Sequence, residues 1–461
     1  MRGILLAHSN HVYSDPKQNA KMQPYPPLQT ILAAAVLREN GIPVSLFDSA
    51  LRNDPLEEFR TDVALQKPRM VVVCEDDFNF LSKMCLARNR ELAFSMARIA
   101  RHAGIFAVAH GSDASDHAVE YLNAGFGAVL IGEVEAALLE VASGTDFAEI
   151  PGLAYVRDNC VRFNPRAPVR QDLDSLPMPA WDLVDIETYR AAWKAAHGYF
   201  SLNMASSRGC PFRCNWCAKP IYGDRYHARS PQAVATEMRF LKETFAPDHI
   251  WFADDIFALS PRWATDFALA VEKRRAQMPF KMQSRCDLMT RNTVAALRRA
   301  GCEEVWMGAE SGSQRILDAM NKGIRVSDVS AARENLRQHG IRACYFLQFG
   351  YPGECWAEIE ETIAMVRQTR PDDIGVSVSY PLPGTRFHEI VAAQIGHKSN
   401  WKDSADLAMM FRGAYSTKFY RALADALHAE VRGGDKAAAW QHVDQLRESD
   451  RCLPECLAEV A

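Results

Sequence analysis

Apolar and polar positions alternate along the N-terminal part of the chain in blocks rather than one by one. "GILLAH" is a continuous apolar run. After a polar loop comes "PLQTILAAAVLRENG", whose apolar positions recur at helical spacing and which closes on a glycine. The pairing returns several times. "PVSLFD", "MVVVCED", "IFAVAHG" and "AVLIGE" are short apolar runs that end in polar or glycine residues, and "NRELAFSMARIARHAG" and "SDHAVEYLNAG" read as helices between them. Strands apolar on both faces and separated by helices predict a parallel sheet covered on both sides. Open sheets of this kind bind ligands beyond the carboxyl ends of their strands. That rule puts Ala7–His11, Glu75–Asn79, Gly111–Asp113 and Gly132–Glu135 on one rim.

Residues 151–195 change character. Their proline-rich run, "IPGLAYVRDNCVRFNPRAPVRQDLDSLPMPAWDL", predicts a small hairpin followed by a linker. A second alternating region then opens with "FSLNMASS". It continues through "SPQAVATEMRFLKETF", where Ser230 and Pro231 mark a helix start, to the strand "HIWFADD" and on to "DIGVSVSYPLPGT". It contains six strand–helix units, too few for a closed eight-fold barrel but enough for an open one with its site at the carboxyl ends. The expected fold class is therefore α/β: a Rossmann-like parallel sheet domain over 1–150, hairpin and linker over 151–195, a partial (β/α)6 barrel over 196–394, and a helical C-terminal extension over 395–461. In that extension "ADLAMMFRGAYSTKFYRALADALHAEVRG" is the strongest amphipathic stretch.

Composition narrows the function classes. The 461 residues carry a net charge of -4, so there is no basic field for a phosphate backbone and nucleic acid is not expected as a partner. No apolar run reaches membrane-spanning length. The start lacks a long apolar core and a small-residue cleavage site, so the expected location is the cytoplasm. Twelve cysteines in a reducing compartment point to metal binding or catalysis where they cluster. Nine of them (Cys74, Cys85, Cys160, Cys286, Cys302, Cys344, Cys355, Cys452 and Cys456) are scattered, and read as small buried hydrophobes.

The other three are clustered. "SSRGCPFRCNWCAKP" holds Cys210, Cys214 and Cys217 at C-x3-C-x2-C spacing, in the loop after a strand. Structural zinc asks for four ligands, usually in two close pairs; here there is one triad, and the nearest histidine is His227. An iron–sulfur cube takes one thiolate per iron. Three thiolates leave one iron open for a substrate or cofactor.

This triad, with Trp216 just before the last cysteine, resembles the signature of the radical S-adenosylmethionine (SAM) superfamily. The resemblance implies a 4Fe–4S cluster whose open iron is chelated by the amino and carboxylate groups of SAM. One-electron reduction of the sulfonium then gives methionine and a 5′-deoxyadenosyl radical. It also implies a reductase, flavodoxin or ferredoxin as electron donor. The barrel strands end in "FADD", "QSRCD", "GAESGS", "GYPGE" and "YPLPGT". By likeness, Asp254, Asp255, Arg285 and Glu310 would bind the polar groups of SAM, with Trp216 and Gly350 near the adenine. The alternative for each carboxylate is a strand-end cap or salt bridge. No catalytic proton donor or acceptor is assigned.

An α/β domain ahead of such a triad resembles the cobalamin-binding radical SAM class. "HGSDASDHAVEYLNAGFGAVLIGEVE" is similar to the second half of its corrinoid-binding domain, and this implies cobalamin near Gly111, Ser112, Gly132 and Glu133. The chain departs from D-x-H-x-x-G at the first loop, "AHSNHVYSD", where His8 and His11 read as loop hydrogen-bonders. A domain that binds nothing and only shapes the substrate pocket is the alternative. "CEDDFNFLSKMC" could line the corrinoid face or cap a helix, and "DPKQNAKMQPYPPLQ" is a long loop expected over the same rim.

With both cofactors the expected reaction is methylation of an unactivated carbon in a small or lipid-like substrate. The runner-up is rearrangement or oxidative cyclisation without methyl transfer. A transfer-RNA methylthiotransferase would bring a second cysteine triad and a basic tail, and an iron–sulfur sensor would leave the strand-end motifs unexplained. Trp401, Met409, Met410, Phe411 and Tyr415 form an apolar set that reads equally as core or as pocket.

Overall fold

A computed structural model describes residues 3–450; Cys452 and Cys456 lie outside the described residues. The first alternating region folds into a sheet of seven strands: β1 (Ile4–Ala7), β2 (Val44–Phe47), β3 (Met70–Cys74), β4 (Phe106–His110), β5 (Ala128–Leu130), β6 (Leu153–Arg157) and β7 (Cys160–Phe163). Their order is β2-β1-β3-β4-β5-β6-β7, with β1 to β5 parallel. The apolar runs are explained by period-two packing onto two cores. Ile4, Leu6 and Val72 pack with Ala34 and Leu37 of helix Leu28–Glu39 and Leu138 of helix Val134–Ser143. Leu5, Ala7, Val71 and Val73 pack on the other face with Ala93, Met96 and Ala97 of helix Ala87–His102.

The hairpin predicted after residue 150 extends this sheet instead of standing apart from it. β6 pairs antiparallel with β5, and β7 antiparallel with β6. Leu153 and Ala154 of β6 are buried in opposite cores, whereas Val156 and Phe163 are exposed at the outer edge. The linker also holds a helix that its prolines concealed, Ile186–His197. Asp185 caps it by accepting the Thr188 N–H at 3.3 Å.

The described chain divides into two compact units. One holds the chain up to Pro211 with Lys219–Asp254 and Asn400–Ala405; the other holds Phe212–Ala218, Asp255–Ser399 and the chain from Asp406. In the first unit, β8 (Ser201–Met204) pairs parallel with β11 (His249–Phe252), beside a short ladder of β9 (Ser207–Arg208) and β10 (His227–Ala228). In the second unit, β12 (Phe280–Ser284), β13 (Cys302–Glu310), β14 (Arg342–Phe349) and β15 (Asp373–Val378) are all parallel. The six long strands of this region match the six expected units. Helices Pro231–Phe245 and Pro261–Arg274 begin with proline, behind Ser230 and Ser260, whose side chains accept from Ala233 N–H (3.1 Å) and Trp263 N–H (3.3 Å).

The C-terminal extension contains helices Thr417–Arg432 and Lys436–Ser449. The segment just before them, read as part of one amphipathic helix, is not helical. The Ser416 hydroxyl caps the helix by accepting Lys418 N–H at 3.1 Å, while the Thr417 hydroxyl accepts Met409 N–H at 3.0 Å. Trp401, Met410, Phe411 and Tyr415 are buried, so that apolar set is core; Met409 is half-buried. Cys74, Cys85, Cys286, Cys302 and Cys344 are buried as expected, but Cys160 is exposed and Cys355 half-buried. Cys160 sits on the edge strand, and Cys355 precedes helix Trp356–Thr369 with its thiol 2.8 Å from Glu358. Among the described residues no helix is long and apolar enough to cross a membrane.

Gly152 adopts φ +73°, and a Cβ there would lie 2.5 Å from the Ile131 carbonyl oxygen. Gly152→Ala is expected to destabilise the first sheet by about 1–3 kcal/mol, read as a lower urea midpoint at unchanged slope.

Candidate functional site

At the carboxyl ends of β1 and β3 the order of the sheet changes direction. There Ser9 donates both its backbone N–H and its hydroxyl to Glu75 Oε1, each at 2.7 Å. Asp76 accepts the Gln29 N–H at 3.1 Å, and Asp77 accepts the N–H and hydroxyl of Ser112 at 3.2 and 3.1 Å. Glu75 Oε2 and Asp76 Oδ2 are buried and accept no hydrogen bond, while Asp77 Oδ2 lies 3.5 Å from His110 Nε2. Burial raises all three pKa values, that of Asp76 to about 6.

Next to them Arg208, two residues before the first clustered cysteine, is buried and ion-paired to Glu133 at 2.6 Å and to Glu135. Burial alone would raise Glu135; the guanidinium reverses this and holds it at about 2. Gln29 Nε2 donates to Glu135 at 3.0 Å, and the Tyr222 hydroxyl donates to Gln29 at 3.1 Å.

The four rim residues singled out for cobalamin are all engaged within this unit. A Cβ at Gly111 would lie 2.7 Å from Glu75 Cβ, Ser112 serves Asp77, and the Gly132 carbonyl bonds His110 Nε2 at 2.9 Å. Glu133 holds Arg208 and accepts the Arg170 N–H at 2.5 Å. His8 pairs with Asp48 at 2.9 Å; burial opposes its charge, but Asp48 outweighs it and raises the pKa. His11 contacts the Ser14 hydroxyl and the Arg52 carbonyl, so both histidines act as loop hydrogen-bonders. The long loop after Asp15 is pinned: the Trp193 indole N–H bonds the Pro24 carbonyl at 2.6 Å and Asn203 bonds that of Pro26 at 3.0 Å. Its acids, Arg208 and His110 were not singled out as a connected network, because they come together only through sheet topology.

Cys210, Cys214 and Cys217 are half-buried, and none is in a disulfide. Gly209 before them has φ +76°, and a Cβ there would strike the Arg225 carbonyl oxygen at 2.2 Å. The Cys210 carbonyl accepts Lys219 Nζ at 3.2 Å, and Cys217 N–H bonds the Cys214 carbonyl at 3.2 Å. Among the described residues no three His, Cys, Asp or Glu side chains are gathered around a single metal ion.

Residues 212–218 belong to the second unit, which also carries the groups bonded to them. Asn215 N–H bonds the Met320 carbonyl at 3.0 Å, Asn215 Nδ2 the Ala319 carbonyl at 2.7 Å, and Asn321 Nδ2 the Arg213 carbonyl at 2.8 Å. The turn after helix Gln314–Ala319 is thereby tied to residues 213–215. It delivers Lys322, which sequence reasoning missed. Lys322 is 6% exposed, pairs with Glu310 at 2.8 Å, and lies 5.8 Å from the Trp216 ring centroid. Burial disfavours its charge, but Glu310 and then the neighbouring Cys214 overcome this and raise its pKa.

Glu310 itself sits at φ +58°, a strained backbone for a non-glycine residue, beside a register shift in β13. Arg285 donates to the carbonyls of Lys322 (2.9 Å) and Gly323 (3.2 Å), pairs with Asp287 at 3.0 Å, and lies 3.7 Å over Phe212. Lys322 thus brings Trp216, Arg285 and Glu310 together. Gly350 adjoins Met409, which packs against the same apolar cluster as Trp216, and donates its N–H to buried Glu354 at 2.5 Å. Burial pushes the Glu354 pKa up to about 8, and its Oε1 has no partner. Asp254, in the first unit, accepts the Ser206 hydroxyl at 2.7 Å and that of Ser207, while Asp255 is half-buried.

Residues 204–366 match the model of the radical SAM superfamily. This segment is a radical SAM domain. An uncharacterized methyltransferase of Pyrococcus horikoshii is 30% identical over 281 residues, 60% of this chain and 60% of its own length. The anaerobic magnesium-protoporphyrin IX monomethyl ester cyclase of Synechocystis sp. is 27% identical over 244 residues, 52% of this chain and 47% of its own. The chain therefore spans only part of both relatives. Among solved structures, the radical S-adenosylmethionine methyltransferase TsrM from Kitasatospora setae, with cobalamin and a 4Fe–4S cluster bound, gives a TM-score of 0.71 at 20% identity, covering 85% of this chain and 75% of its own. At that identity the likeness is one of fold.

Two outcomes follow from the radical SAM domain's geometry. A Cβ at Gly308 would lie 2.5 Å from both Glu310 Oε1 and Lys322 Nζ, so Gly308→Ala should break this pair and cost roughly 1–3 kcal/mol, measured by urea unfolding. Because the Glu354 pKa is raised on folding, the folded state holds a proton that the unfolded chain has lost, and stability falls as pH rises from the ordinary carboxylate range to about 8. Glu354→Gln should flatten that decline in melting experiments between pH 5 and 8.

Proposed function

We propose that this chain is a radical SAM enzyme that methylates an unactivated carbon of a small or lipid-like substrate in a reducing cytoplasm, using a 4Fe–4S cluster, SAM and cobalamin. The cysteine loop carries the proposal: three thiols at C-x3-C-x2-C spacing on one segment of a radical SAM domain, none of them in a disulfide, with no fourth cysteine near them in the sequence. Methyl transfer is supported by the relative named a methyltransferase and by the fold shared with TsrM.

In this reading Cys210, Cys214 and Cys217 hold three irons as thiolates. When bound, the cluster and SAM supply hydrogen-abstracting radical chemistry, and cobalamin supplies a transferable methyl group. The protein's part is to bind and orient. Trp216 and Gly350 would flank the adenine, and Asp254, Asp255 and the second oxygen of Glu310 would serve polar groups of SAM. Arg285 has its donors committed to the 322–323 carbonyls and to Asp287, so its part is to hold that turn. The buried oxygens of Glu75 and Asp76 that accept no hydrogen bond fit a cofactor that brings hydrogen-bond donors, as the primary amides of cobalamin do. Gly111, Ser112, Gly132 and Glu133 would frame that rim. A reductase, flavodoxin or ferredoxin would supply the electron.

A second reading, oxidative cyclisation or rearrangement without methyl transfer, is favoured by the similarity to the cyclase. One experiment separates the two. Protein purified without oxygen, with its cluster rebuilt and cobalamin supplied, should retain the corrinoid absorption bands. With extracts of candidate substrates it should move label from the SAM methyl group into product. Corrinoid retention without label transfer supports the second reading, and loss of the corrinoid contradicts the cobalamin assignment.

A further inference from the structure

Lys322 is a buried ammonium that none of the expected cofactor contacts uses. The turn bearing it is fastened to the cysteine loop by the three hydrogen bonds from Asn215 and Asn321, and clamped from its other side by Arg285 under the Phe212 ring. Gly308 leaves the space that the Lys322–Glu310 pair occupies. A lysine this buried is unusual without a task, since removing its charge from water is costly even when paired.

We propose that Lys322, held by Glu310, is the charge that sets the reduction potential of the cluster on the cysteine loop; this rests on the cluster reading above. Cluster potentials respond to net charge, hydrogen bonding and exposure, and a charge in a low-dielectric interior acts more strongly than one in water. One electron from a one-electron donor makes the cluster more negative by one charge, and no bond forms or breaks. An ammonium on the turn bonded to residues 213–215, 5.8 Å from the Trp216 ring centroid, favours that reduced state. The Glu310 carboxylate fixes the ammonium in place and offsets part of its field, so the two residues should act with opposite signs.

The test is an EPR-monitored redox titration, with dithionite as reductant, of wild-type protein and of Lys322→Met, Lys322→Arg and Glu310→Gln, each after cluster reconstitution and a melting check of the fold. Lys322→Met should shift the reduction equilibrium at least tenfold toward the oxidised cluster, about 59 mV lower for one electron. Lys322→Arg should stay near wild type, and Glu310→Gln should move upward. Unchanged potentials in loaded Lys322→Met, or shifts of one sign in Lys322→Met and Glu310→Gln, would overturn the inference. If Lys322→Met holds no cluster, Glu310→Gln decides: an upward shift supports the inference and no shift overturns it. A wild type that takes up no cluster contradicts the underlying reading, and the inference falls with it.

Discussion

A loop that carries three reactive thiols has no ladder of its own to hold it, so its conformation must be imposed by its neighbours. Here the imposition is largely main-chain hydrogen bonding. Asn215 and Asn321 exchange bonds with the carbonyls of the 319–320 turn and of Arg213, and Phe387 N–H bonds the Asn215 carbonyl at 2.9 Å. Gly209 allows the chain to enter the loop under the Arg225 carbonyl. Fixing the loop through groups other than its thiols suits a segment whose sulfurs would serve as metal ligands.

The same economy appears at the rim of the first sheet. Buried carboxylates are costly unless paired, yet Glu75 and Asp76 each have only half their acceptor capacity met. Glu133 and Glu135, by contrast, are matched by Arg208. One rim thus carries both a closed ion-pair network and an open one. The closed part is structural: it anchors the residue that leads into the cysteine loop. The open part is where a donor-rich ligand would be accepted.

Much of the fold was legible because burial on two faces leaves its mark on each strand. β1 and β3 read as strands since both of their faces enter cores. The helix at Ile186–His197 was hidden by proline-rich flanks, and Asp185 and Gly198 were its quieter signals. The edge pairing of β6 could not be read, because a hairpin's local pattern does not say which strand it will join. In the site, the cysteine spacing announced itself, and Trp216, Arg285 and Glu310 do converge. Lys322 did not: it follows a helix as one polar residue among many, and only the turn that returns it to the cysteine loop gives it meaning. Arg285, read from its strand-end position, also donates to the 322–323 carbonyls and to Asp287, contacts that only the folded turn brings to it.

The account depends on a cube that the protein leaves one ligand short. Its most direct test is the EPR spectrum of the reduced, anaerobically reconstituted protein before and after SAM is added. Direct binding of SAM to an open iron predicts a changed spectrum that the Cys217→Ala protein cannot give. A spectrum indifferent to SAM, or zinc in place of iron in that loop, would contradict it.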